Sequence, residues 1–334
     1  MDESNPETQL AWLAMLRLPG LGPRRLIPLL QRYPDPHLLL IKPPSELPEN
    51  IRQILHQADW QQAEQDSQWL ADSGNQLITF GSTGYPEQLT ELADPPLALF
   101  VRGNADLLHS PQIAVVGSRS ATQGGLQNAR HFSHFLASVG ITISSGLALG
   151  VDSAAHQGAL QAKGATLAVM GTGLDRVYPA RNRELAHQIA DHGLLVTEYP
   201  PGTQPLAHHF PRRNRLIAAL SVGTLVVEAA LKSGSLITAR LAAELGREVF
   251  AIPGSIHNPQ ARGCHALIRE GAKLVETAQH IAEELSPQYA LDEVAAPAPK
   301  NPQSDSDNLP DDHQILLEAM GYDPVSTDQL VTRT

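Results

Sequence analysis

From about Leu77 onward, short runs of apolar residues alternate with stretches of helical spacing. The runs Ile113–Val116, Ile141–Ser144, Thr166–Met170, Leu194–Thr197, Thr224–Val227 and Val249–Ile252 are largely continuous rather than alternating in polarity. Strands of that kind are covered on both faces, as in a parallel sheet. Helical stretches fall between them, near residues 124–138, 151–162, 182–191, 212–220, 236–245 and 263–270. The alternation predicts an α/β fold, a Rossmann-like doubly wound and mostly parallel sheet over residues 76–285.

The flanks differ. Residues 1–75 read as a small helical domain. Helices within 8–33 are broken by LPGLGP (Leu18 to Pro23), and residues 51–72 place Ile51, Ile54, Leu55 and Leu70 at helical spacing. The glycine-rich break is similar to a helix-hairpin-helix turn, whose backbone N–H groups can meet a phosphate; a plain helical hairpin fits it too. Residues 286–310 are rich in Pro, Ala, Asp and Ser without apolar period and read as a linker. Beyond it Asp312–Met320 reads as a short helix, and Ser326 as the cap of another beginning at Thr327. Residues 311–334 are too few for a core of their own and read as the start of a truncated module.

Charge changes how this middle domain is understood. The net charge of −11 argues against a polyanion, but its distribution does not. Residues 1–111 carry 7 basic and 14 acidic side chains, residues 112–240 carry 11 and 6, and residues 276–334 carry 2 and 12. Screening limits the reach of charge to about 8–10 Å, so the local basic excess decides. An ordinary solvated surface would show the same balance. The single cysteine, Cys264, excludes an intrachain disulfide and a cysteine zinc cluster, and suits a reducing cytoplasm. The acidic start MDESNPETQL is unlike a secretory signal, and no apolar run approaches a membrane span.

In a doubly wound sheet ligands meet the loops at the carboxyl ends of the strands. After the first run come Gly117, Ser118 and Arg119. Gly117 permits a sharp turn, the next helix offers unpaired N–H groups, and Arg119 brings a fork suited to phosphate. After the second run Asp152 and His156 stand four residues apart on one helix face. A structural role is preferred over acid–base work, since no nucleophile is paired with them. After the third, Arg181 and Arg183 open a helix, where cations oppose the dipole and point to a nearby anion. The densest cluster is Phe210, Arg212, Arg213, Asn214 and Arg215. Either Phe210 stacks a base while the arginines hold phosphates, or it is buried and anchors the loop. Lys232, Ser233, Gly234 and Ser235 precede another helix and can present N–H, hydroxyl and charge to phosphate. The sequence contains no GxxxxGK[ST], so P-loop hydrolysis is not expected; nor is any catalytic residue, cofactor or metal.

Six segments, GSRSATQGG, SGLALGVDSAAHQGAL, GTGLDRVYP, FPRRNRLIAALS, VVEAALKSGSLITARLAAELGREVFAIPG and GCHALIREGA, together resemble the DNA-processing protein A family (DprA/Smf) over about residues 80–275. The resemblance implies an extended Rossmann domain that binds single-stranded DNA, dimerises with itself and helps load the RecA recombinase during natural transformation. It also implies a SAM or helix-hairpin-helix-like N-terminal module and a winged-helix-like C-terminal one. By motif position Arg119 and Phe210 match family DNA contacts, with Gly117, Ser118 and the FPRRNR arginines beside them. Some members carry a lysine three residues before the aromatic, where this chain has Ala207; Arg212 or Arg213 is the candidate for the missing charge. The competing expectation is a nucleotide-processing enzyme. Val222, Gly223 and Thr224 followed by Glu228 faintly resemble the PGGxGTxxE motif of the lysine-decarboxylase-like phosphoribohydrolases, although its first part is missing.

Overall fold

The computed structural model of the protein describes residues 5–285, 310–320 and 327–334. They fall in two compact units, residues 1–292 and 293–334.

Five helices open the first unit: α1 (Pro6–Met15), α2 (Pro23–Arg32), α3 (Pro36–Ile41), α4 (Glu49–Leu55) and α5 (Trp60–Leu70). Three of their starts are capped by side chains. Asn5 accepts from the Glu7 N–H at 3.0 Å, Asp35 from Leu38 at 2.9 Å and Asp59 from Gln62 at 2.9 Å. Such a cap stabilises a helix by about 1 kcal/mol. The Asp59 cap starts α5, so the helical spacing over residues 51–72 is divided between α4 and α5. These helices share a core with the sheet region: Leu13, Met15, Leu26 and Leu39 cluster with Phe100, Met170 and Ile189. Arg17 adds a polar tie. It donates to both carboxylate oxygens of buried Asp66 (2.6 and 2.7 Å) and to the Pro201 carbonyl (2.8 Å).

The strands are β1 (Asn75–Thr79), β2 (Ala98–Gly103), β3 (Gln112–Val116), β4 (Thr142–Ser145), β5 (Thr166–Val169), β6 (Leu194–Thr197), β7 (Gly223–Val226), β8 (Glu248–Ala251) and β9 (Lys273–Leu274). The helices between and after them are α6 (Gln123–Ser138), α7 (Val151–Gln161), α8 (Arg183–His192), α9 (His209–Leu220), α10 (Ser235–Glu244), α11 (Arg262–Arg269) and α12 (Ala278–Leu285). The sheet order is β1-β2-β6-β5-β4-β3-β7-β8-β9. From β6 to β9 all pairings are parallel, whereas β1–β2 and β2–β6 are antiparallel. Each expected strand is present within a residue of its predicted ends; β1, β2 and β9 come in addition.

Successive residues of β3 feed opposite cores. Ile113 and Val115 pack with α6, α7 and α12 through Leu136, Ala155 and Ile281. Ala114 and Val116 pack with α9, α10 and α11 through Leu216, Leu236 and Leu267. The sheet is therefore doubly wound, with the chain's winding reversing between β3 and β7. That crevice is where such folds take ligands. In the second unit α13 (Asp311–Met320) and α14 (Thr327–Arg333) occupy the two predicted helical stretches, and Arg333 donates to the Ala319 carbonyl at 3.0 Å. The expected linker over 286–310, Pro310 apart, and the Ser326 cap lie outside the described residues.

Candidate nucleic-acid interface

The carboxyl ends of β3 and β7 open into a cavity of about 680 Å³. The structure brings Gly117, Ser118, Arg119, Phe210, Arg213, Asn214, Lys232, Ser233, Gly234 and Ser235 to its wall. Arg181, Arg183, Arg212 and Arg215 are not among the lining residues, although Arg181 and Arg183 are exposed.

The loop that carries Arg119 is fixed at several points. The Ser118 N–H donates to the Glu228 carbonyl at 2.7 Å, and the Val151 N–H to the Ser118 carbonyl at 3.2 Å. Gly150, at φ +84°, lets the β4–α7 loop approach so closely that a Cβ there would run into the Ser118 carbonyl. The exposed Arg119 guanidinium lies over the Phe210 ring, 5.8 Å from its centroid.

The N-terminus of α6 departs from the sequence expectation. It was expected to offer free N–H groups to a phosphate. Instead Thr122 Oγ1 caps Gly125 N–H at 3.0 Å, and the Thr122 N–H and hydroxyl donate to Glu228. A carboxylate of the protein already fills the anion position.

Helix α9 starts at His209, three residues earlier than its apolar spacing suggested, so Phe210 sits in its first turn. Phe210 is half-buried against Gly171, where an added Cβ would stand 3.0 Å from ring carbon Cδ1. Behind it His209 stacks on Tyr199 with centroids 4.2 Å apart, and its Nδ1 meets the Gly171 carbonyl at 3.2 Å. Burial and the neighbouring His208 lower the His209 pKa.

The four residues after Pro211 separate sharply. Arg213 is buried under the cavity. Its guanidinium donates to the Val169 carbonyl and occupies the space a side chain at Gly146 would need. Burial lowers its pKa to about 10, with Asp152 opposing the shift, so it stays charged at neutral pH. Asn214 reaches the Gly234 carbonyl at 3.4 Å. Arg212 and Arg215 turn elsewhere. Arg215 pairs with buried Glu198, and Arg212 stands 3.6 Å from Glu198 and 3.4 Å from Asp94. Of the two candidates for the charge missing at Ala207, Arg213 lines the cavity and Arg212 does not.

Asp152 and His156 act separately. Asp152 accepts from the N–H groups of Gly146 (3.2 Å) and Ala148 (3.3 Å) and holds the β4–α7 loop. Burial raises its pKa and Arg213 pulls it back. The His156 Nδ1 meets the Thr166 hydroxyl at 2.7 Å, and that hydroxyl donates to the Ile143 carbonyl. The imidazole therefore carries its proton on Nδ1. Burial depresses its pKa to about 3.

Polar side chains of Tyr178, Thr238 and Gln260 also line the cavity and were not among the expected site residues. Tyr178 had a signal: it is an aromatic among Arg176, Arg181 and Arg183 in a chain with only 4% aromatic residues. Among the described residues there is no cluster of three metal-binding side chains, and no helix is long and apolar enough to cross a membrane.

Fold and cavity define a class: a doubly wound, Rossmann-like protein with a basic, aromatic-bearing groove at its switch point. The model of the DNA recombination-mediator protein A family matches residues 76–286, and that of the DprA winged helix domain matches residues 295–334. This chain belongs to the DNA-processing protein A family. The Smf protein of Escherichia coli is 51% identical over 218 residues, 65% of this chain and 58% of that protein. DNA processing protein DprA of Streptococcus pneumoniae is 50% identical over 200 residues, 60% of this chain and 71% of that one. Among solved structures, DprA of Streptococcus pneumoniae matches with a TM-score of 0.73 at 39% identity, covering 84% of this chain and 98% of that one. DNA processing protein A of Helicobacter pylori, studied for its single-stranded DNA binding mode, matches at 0.59 and 33% identity, covering 64% of this chain and 97% of that one.

Proposed function

We propose that the protein binds single-stranded DNA in the groove at the ends of β3 and β7, protects incoming strands, and helps load the RecA recombinase onto them in natural transformation. It works in the cytoplasm as a homodimer and as a binding protein rather than an enzyme. The observation that carries this reading is the placement of the Arg119 guanidinium over the Phe210 ring in one cavity with Arg213, Lys232 and Ser233–Ser235. A cation beside a half-buried ring at the wall of a groove suits a strand whose bases are free and whose phosphates need partners. The single-stranded DNA binding mode described for the Helicobacter pylori relative supports it. Arg181 and Arg183 are exposed and extend the contact surface beyond the cavity. Arg212 and Arg215 serve α9 through Glu198 and Asp94.

The phosphoribohydrolase reading would need Glu228 as a free acid–base group, and its carboxylate is bound to Thr122. A salt-titrated comparison of single-stranded and duplex DNA tests the proposal. The single strand should bind more tightly, and Arg119→Ala with Phe210→Ala should abolish the preference. Unchanged affinity in that double variant rejects the groove. Sedimentation of the full chain reports the dimer, and strand-exchange assays report recombinase loading.

A further inference from the structure

We infer that Tyr178 is a second base-stacking platform, taking the base next to the one on Phe210; this rests on the single-strand reading above. Tyr178 follows β5, and its ring stands 5.4 Å from that of Phe210, tilted by 39°. It lines the same cavity, yet its side chain is 46% exposed. Among the described residues with large exposed apolar side chains it is the one aromatic. An aromatic that contributes so little to the core, in a chain so poor in aromatics, leaves its ring face for a ligand.

The spacing says how the bases would sit. Stacked planes lie about 3.4 Å apart, so a base held between two rings needs about 6.8 Å. The two centroids are closer than that, so each ring can offer only its outer face. On Phe210 the entering base meets the Arg119 guanidinium, an exposed side chain able to slide outward to the adjoining phosphate. Tyr178, 46% exposed, keeps ring surface free for a base. Two faces inclined by 39° cannot both lie flat on bases that remain stacked on each other. The pair therefore suits a flexible single strand and not a duplex, whose bases are held parallel.

The test is fluorescence anisotropy on the full chain with an oligothymidylate, an abasic oligomer of the same length, and a duplex. Base–aromatic stacking contributes about 1–3 kcal/mol per base, so Tyr178→Ala should weaken oligothymidylate binding at least fivefold. Tyr178→Phe should bind like the parent, because the ring and not the hydroxyl is used. Affinity for the abasic oligomer and for the duplex should not change in Tyr178→Ala, nor should the salt dependence, since no phosphate contact is lost. Binding of oligothymidylate within twofold of the parent overturns the inference. So does an equal loss on the abasic oligomer, which would make the ring a support for the loop. If Phe210→Ala and Arg119→Ala still weaken binding in the first case, only the role of Tyr178 fails; if they too are silent, the groove fails with it.

Discussion

The carboxylate of Glu228, at the end of β7, accepts the backbone N–H of Thr122 at 2.8 Å and its hydroxyl at 2.6 Å. The two residues are 106 positions apart, and their contact closes the place where a doubly wound fold commonly receives a phosphate. The Glu228 carbonyl also holds the Ser118 N–H, so one residue fixes both ends of the loop that presents Arg119. On the proposed function, a phosphate would therefore meet side chains such as Arg119 rather than this helix terminus.

This arrangement makes Glu228 a stability residue. Hydrogen bonds to a buried charged group contribute about 1.5–3 kcal/mol each, and Glu228→Gln retains at most one of the two as an acceptor. We expect urea unfolding to show a loss of about 1–3 kcal/mol. A variant as stable as the parent would deny the cap any energetic role.

Arg119 and Phe210 should separate by salt dependence. Arg119→Ala should reduce the slope of log affinity against log salt by about one phosphate contact. Phe210→Ala should lower affinity at every salt concentration and leave the slope alone. Equal slopes in all three proteins would mean that Arg119 meets no phosphate.

Gly171 sets the height of the Phe210 ring. A methyl group there would be 3.0 Å from Cδ1, tighter than ordinary contact, so Gly171→Ala should tilt the ring. Overpacking of this kind costs about 1–3 kcal/mol. Single-strand affinity should fall while duplex affinity stays level, as read by anisotropy.

Arg215 is expected to matter for folding. Its removal leaves Glu198 buried beside Asp94 without its closest cation. Breaking a buried pair from one side costs about 3–5 kcal/mol. Arg215→Ala should lower Tm clearly; whatever soluble protein remains should keep the salt slope of the parent.

The pH dependence follows from His156. Unfolded, its imidazole takes a proton near its ordinary pKa of 6.5, whereas in the fold it does so only near 3. The unfolded state thus binds more protons between these values. The full contribution is present above pH 6.5 and is lost as pH falls toward 3, amounting to on the order of 5 kcal/mol. Chemical denaturation across this window should show the decline, and His156→Gln should flatten it.

The order of strands and helices was legible in the sequence because those periodicities are local: buried parallel strands are continuous apolar runs, and helices repeat every 3.6 residues. The caps Asn5, Asp35 and Asp59 also act within three residues, yet they came to light only in the structure. Strands β1 and β2 were harder to see. β1 is an edge strand of uneven burial, and its partner residues lie about 19 to 27 positions further on. The basic loops and Phe210 were also readable as a group, since each follows a strand. Only the tertiary structure could sort their members. Four consecutive residues on α9 point about 100° apart, which sends Arg213 and Asn214 to the cavity and puts Arg212 and Arg215, three apart, beside Glu198. The meeting of Tyr178 with Phe210, and of Glu228 with Thr122, depends on how distant loops converge at the sheet's end. Such convergence arises from packing among residues far apart in the chain, and a linear pattern carries no record of it.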